Sequence, residues 1–196
     1  MSSELRLIGA ALEAEFEMPI DARLDDADFN VLARRVFRFQ NEHNATYAAW
    51  CRRRERTPDA VSHWTGIPAV PTAAFKEVSL VAGDEGAADA TFRTSGTTAG
   101  PDRRGTHHVL DLSFYHRSLS ASFRAMLLPD GAVPAMFGLI PSADEWRDSS
   151  LAHMITTVSR HLGSERSACF AGVKTGLDVD GLTTALREAE SSGEAV

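Results

Sequence analysis

Between two strand-like runs, Ala90-Thr91-Phe92-Arg93 and Thr106-His107-His108-Val109-Leu110, the chain carries Thr94-Ser95-Gly96-Thr97-Thr98-Ala99-Gly100, in which six of seven residues are Gly, Ser or Thr. Such a stretch has too little side-chain bulk to help build a core. The fold must therefore present it as a loop, delivered by one strand and carried away by the other. Its backbone N–H groups can form a nest that attracts anions. Its hydroxyls add donors for phosphate oxygens, and Arg103 and Arg104 add fixed positive charge. A polyphosphate is the ligand such a loop suits best. The same composition also describes an ordinary solvated loop, so the residues around it have to decide.

A P-loop is excluded. Gly100 and Gly105 have the required spacing, but Thr106 and His107 follow where Lys and Ser/Thr are needed. A P-loop also caps a helix, whereas this loop runs into a strand-like segment. No Gly-x-Ser-x-Gly elbow supports a serine hydrolase. No carboxylates at helical spacing suggest glycosidase or two-metal chemistry.

The 196 residues suffice for one sizeable core and are too few for two large domains. Apolar and charged fractions of 43% and 24% are those of an ordinary globular protein. A net charge of −7 argues against nonspecific nucleic-acid binding, which needs a basic surface to displace counterions. Positive charge is local, in Arg52-Arg53-Arg54 with Arg56 and in Arg103-Arg104. The first group reads as the solvated face of a helix. Cys51 and Cys169 are far apart and outside any Cys-x-x-Cys pattern, so no disulfide framework is expected, which fits a reducing cytoplasm. The N-terminus lacks the basic start and apolar core of a signal peptide, and no run is apolar enough to span a membrane. A cytoplasmic protein is the expectation.

Apolar spacing predicts a helix over 3–17, a second starting at Asp25-Asp26 with acid in its first turn, and a break near Asn41–Asn44. Residues 1–66 thus read as a helical segment. Ile67-Pro68-Ala69-Val70-Pro71 is an extended link into an α/β portion, 67–196. There the expectations are a helical turn at Thr72–Lys76 and strands at Ser79–Val81, Ala90–Arg93, Thr106–Leu110, Val133–Ile140 and Ala168–Gly172. Helices are expected from Asp111, from Asp148 with a buried stripe of Leu151, Met154-Ile155, Val158 and Leu162, and from Asp178. Alternating strands and helices imply an α/β fold with at least partly parallel strands.

Thr94-Ser95-Gly96-Thr97-Thr98 followed by Gly100 and a cation resembles the phosphate loop of adenylate-forming enzymes, the acyl-CoA synthetase superfamily. Its companions resemble the LuxE-type acyl-protein synthetase branch. They are Ile67–Pro71 with Phe75-Lys76 upstream, Arg104-Gly105-Thr106-His107-His108-Val109 and Asp111–Tyr115 after the loop, and Pro141-Ser142 with Ser149-Ser150-Leu151-Ala152-His153-Met154 downstream. The likeness runs from about Asp26 to Val196.

The resemblance implies ATP with Mg²⁺, and activation of a carboxylic acid, by family a fatty acid, as an acyl-adenylate that is passed to a thiol. The acceptor would be a thiol of a partner acyl-reductase or carrier protein. Thr94, Ser95, Gly96, Thr97, Thr98 and Gly100 would hold the phosphates with Arg103 and His108. Arg104 or Arg103 would replace the superfamily's usual Lys, and Arg104 and His153 are the catalytic candidates, His153 beside the acyl carboxylate. The family's adenine motif, ribose-binding Asp, hinge, catalytic Lys and acylated Cys would all lie beyond Val196. The chain is therefore expected to be the N-terminal part of a longer enzyme with an incomplete adenylate-forming fold. Two alternatives stay open: a non-catalytic nucleotide- or partner-binding remnant, and a small-acid or aryl-acid CoA ligase. His107 and His108 are adjacent on a strand, face opposite sides and cannot chelate one metal. With His116 a zinc site is conceivable, but no second cluster supports one, and no metal ligands are assigned.

Overall fold

The computed structural model describes residues 3–19, 22, 24–94 and 104–196, and shows a mixed α/β protein. It divides into two compact units, Met1–Phe114 and Tyr115–Val196, the division falling in the first turn of a helix.

The first unit begins with three helices, α1 (Ser3–Phe16), α2 (Asp26–His43) and α3 (Ala45–Arg53). Asp25 caps α2, its side chain accepting from the Asp28 N–H at 2.8 Å. Asn44 does two jobs at the expected break. Its N–H donates to the Gln40 carbonyl at 3.0 Å and closes α2, while its Oδ1 accepts from the Tyr47 N–H at 3.0 Å and opens α3. Phe37, Cys51 and Val61 form the core between these elements, with Tyr47, Trp50 and Ile67 against them. The Arg52–Arg54 run is solvent-exposed, as its reading as a solvated face requires, with Arg54 lying over the Trp50 ring at 4.0 Å.

Two ring donors on consecutive turns of α3 hold the proline-rich link. Tyr47 donates to the Pro68 carbonyl at 2.9 Å and Trp50 Nε1 to the Ala69 carbonyl at 3.2 Å. Upstream, Trp64 pins the same segment to the start of α2. Its Nε1 donates to Asp26 at 2.9 Å, its N–H to Asn30 Oδ1 at 2.7 Å, and its ring meets Phe29 edge-on. These three partners lie at i, i+3 and i+4 on one face of α2.

The link ends in a 3₁₀ turn at Thr72–Lys76, where a helical turn was expected. Ser79–Val81 is not a strand. The strands β1 (Ala90–Arg93) and β2 (Thr106–Val109) pair with each other, antiparallel, with Thr91 opposite His108 and Phe92 opposite His107. β1 and β2 are thus the two arms of a hairpin. Phe92 turns inward and is 4% exposed.

The second unit contains most of α4 (Leu112–Leu127), then β3 (Phe137–Gly138), α5 (Ser150–Leu162), β4 (Ala168–Cys169), β5 (Ala171–Gly172), β6 (Gly176–Leu177) and α6 (Val179–Ser192). The strands β3 and β4 are parallel and joined through α5, while β5 and β6 form a small antiparallel hairpin. The parallel pair is the part of the expected sheet that forms. Val133–Ile140, expected as one strand, keeps only two paired residues. Pro134 has no N–H to give, and the neighbouring groups go to separate partners: Ala135 N–H to Ala195, Met136 N–H to Ser167 Oγ, and the Pro134 carbonyl to Ser164. Ala168–Gly172 is likewise interrupted at Phe170, whose N–H donates to Gly138 at 2.8 Å.

Of the stripe expected on α5, Val158 and Leu162 are buried and Met154 and Ile155 partly so, whereas Leu151 is 52% exposed and Ala152, Thr156 and Thr157 are buried beside them. The helix runs close to β3: a Cβ on Gly138 would stand 3.1 Å from Ile155 Cγ2 and 3.2 Å from Cys169 Sγ. So close an approach is open to glycine at Gly138, which leaves room for the Ile155 side chain. No described helix is long and apolar enough to cross a membrane.

Candidate functional site

The candidate residues fall into two groups, one in each unit. Ser95, Gly96, Thr97, Thr98, Gly100 and Arg103 lie outside the described residues. The loop's two ends are described, and they are clamped. The Thr94 N–H donates to the Gly105 carbonyl at 2.9 Å, and the Gly105 N–H returns a bond to Thr94 Oγ1 at 2.8 Å. Arg104 Nε donates to the Thr94 carbonyl at 2.8 Å. Threonine is needed at the first position because its hydroxyl reaches back across the hairpin. Glycine is needed at the second because a Cβ there would stand 2.8 Å from the Phe75 carbonyl oxygen.

The two strand histidines face opposite ways, as adjacent strand residues must. His107 stacks on Phe75 with centroids 3.9 Å apart and planes at 19°. Burial, and then His108 beside it, hold the His107 imidazole below its ordinary pKa. His108 is engaged at both ring nitrogens, Nδ1 with Thr91 Oγ1 at 3.2 Å and Nε2 with Glu85 at 3.6 Å. It braces the foot of the hairpin, just as Arg104 braces the base of the loop.

In the second unit, His153 on α5 meets His116 on α4, with Nε2 to Nε2 at 2.8 Å. Burial is the main cause that lowers both imidazoles below their ordinary pKa. His161 adds to it at His116, and His116 and Arg160 add to it at His153. Tyr115 packs its ring 5.8 Å from His153. Sequence reasoning singled out His153 and considered His116 only with His107 and His108. The two partners are 37 residues apart on different helices, so no local spacing announces the pair.

A small pocket of about 290 Å³ lies between α5 and β4, lined by Ser142, Thr156, Ser159, Arg160 and Cys169 among others. Cys169, read from sequence as a buried strand residue, opens onto it and is partly exposed. Burial pushes its thiol up, against the lowering effects of Thr156 and Arg160. In the first unit, a groove of about 430 Å³ is lined by Val36, Phe37, Tyr47, Val70, Phe75 and Leu80 among others. Phe75 belongs both to this groove and to the His107 stack at the hairpin. Among the described residues, no three His, Cys, Asp or Glu side chains converge on a point where they would hold a metal ion.

Comparison with models of known protein families, with curated proteins and with solved structures gave no match.

Proposed function

We propose that this chain activates a carboxylic acid, by resemblance a fatty acid, at the expense of ATP, forming an acyl-adenylate whose acyl group passes to a thiol. The observation that supports this reading is the hairpin. A Gly/Ser/Thr loop that resembles the phosphate loop of adenylate-forming enzymes is clamped at both ends by the Thr94–Gly105 bonds, with the Arg104 guanidinium tied to its base. In this reaction a carboxylate oxygen attacks the α-phosphorus of ATP and the bond to pyrophosphate breaks. The departing pyrophosphate carries the extra negative charge. Donors fixed in advance around the β- and γ-phosphates align the displacement and stabilise that leaving group. Thr94, Ser95, Gly96, Thr97, Thr98 and Gly100 are assigned to the phosphates with Arg103, Arg104 and His108. When bound, Mg²⁺ would supply neutralisation of phosphate charge, and no residue of this chain is assigned to it.

His108 and Arg104 reach a nucleotide only by exchanging or sharing the partners they hold, so their part is first to set the loop's position. His153 is assigned to the acyl carboxylate. The test is acid-dependent exchange of labelled pyrophosphate into ATP. Loss of one donor to the leaving group lowers exchange about a hundredfold, and this is the expected result for both Thr97→Ala and Arg104→Ala. Unchanged exchange in both variants contradicts the assignment. Binding of ATP without exchange under any acid supports the non-catalytic alternative.

A further inference from the structure

We propose that His116 and His153 share a single proton and act as one acid–base unit, with His116 the positioning residue that determines which protons His153 carries. The proton sharing stands on geometry alone, and only the reaction the pair would serve rests on the function proposed above.

The two rings meet head-on. Their centroids are 5.1 Å apart, their Nε2 atoms 2.8 Å apart, and their planes differ by 16°. The difference between the two distances equals the two ring radii, so both nitrogens lie on the line joining the centroids. The rings are therefore nearly coplanar, and the lone pair of one Nε2 points straight along the N–H of the other. This is the linear arrangement that a hydrogen bond prefers. It suits a metal ion poorly: two Zn–N bonds of about 2.0–2.1 Å at a tetrahedral angle hold their nitrogens more than about 3 Å apart, with the rings turned from a common line.

A neutral imidazole has one donor and one acceptor nitrogen, so in the neutral pair one Nε2 donates and the other accepts. Moving that proton across the bond would leave an imidazolate facing an imidazolium, so sharing begins only with the next proton, when either ring can be the imidazolium. One added proton leaves the bond intact as an imidazolium donating to an imidazole. A second would place two N–H groups face to face at 2.8 Å. The pair therefore takes up one proton where two separate histidines take up two. The titratable and charged groups that face it strengthen this limit. Tyr115 on α4 is neutral, Arg160 on α5 is cationic, and the third histidine, His161 on α5, presents its ring to His116 at 85° and 6.0 Å.

The test is a pH titration of the folded chain with ¹⁵N-labelled histidine, reading the ring nitrogens of His116 and His153. The expected result is a common midpoint, with each ring passing through about half of a full protonation shift, because one proton divides between two sites. In His116→Gln the side-chain amide keeps a hydrogen-bonding group at that position but cannot take a proton, so His153 titrates alone through the full shift. Two independent full titrations in the wild-type chain overturn the proposal, and they do so even if a variant fails to fold. The pH dependence of pyrophosphate exchange separates this proposal from the proposed function. A shared titration with no exchange leaves the pair and removes the reaction. Exchange with separate titrations leaves the reaction and removes the pair.

Discussion

At the scale of single residues, the histidines make stability depend on pH in one direction. The ordinary imidazole value is about 6.5, and burial holds His107, His116 and His153 below it in the folded chain. Between that value and the lower folded ones, the unfolded chain binds more protons than the folded chain. Stability is therefore complete above about pH 6.5 and falls as the pH drops through the window beneath it. Thermal unfolding followed from pH 7.5 to 5.5 should show a falling midpoint. Replacing His116 and His153 together with Gln should flatten that slope, because two of the three groups that resist protonation are gone. A slope unchanged in the double variant contradicts the assignment of the effect to the pair.

At the scale of elements, the helices were far more legible in the sequence than the strands. The starts read at Asp25 and Asp148 and the break read near Asn41–Asn44 fall where Asp25, Ser149 and Asn44 cap α2, α5 and α3, and capping chemistry is local. Apolar runs such as Ser79–Val81 and Val133–Ile140 have strand composition, but a strand needs a partner, and a distant partner leaves no local trace. The same distinction holds for the candidate site. Thr94, Arg104 and Gly105 stand out as a motif, and the structure adds the reason each is needed at the loop's foot. His153 stood out only through its neighbours in sequence, and its partner His116 required the packing of α5 on α4 to become visible. The hairpin makes a sharp prediction of its own. Gly105→Ala places a methyl group 2.8 Å from a backbone oxygen that no side-chain rotation can relieve. Overpacking of this kind costs about 1–3 kcal/mol, and chemical denaturation of the variant should show a loss of that size. Wild-type stability in the variant would mean that the Phe75 segment yields without cost.

At the scale of the whole molecule, the hairpin belongs to the first unit and the paired histidines of α4 and α5 to the second. The proposed activity is activation of a carboxylic acid at the expense of ATP. Acid-dependent exchange of labelled pyrophosphate into ATP tests this most directly, run with a panel of fatty, short-chain and aromatic acids on the 196-residue chain and on any longer reading frame that contains it. The expected result is exchange that appears only when an acid is added and is strongest with fatty acids. Absence of exchange from every preparation with every acid would contradict it.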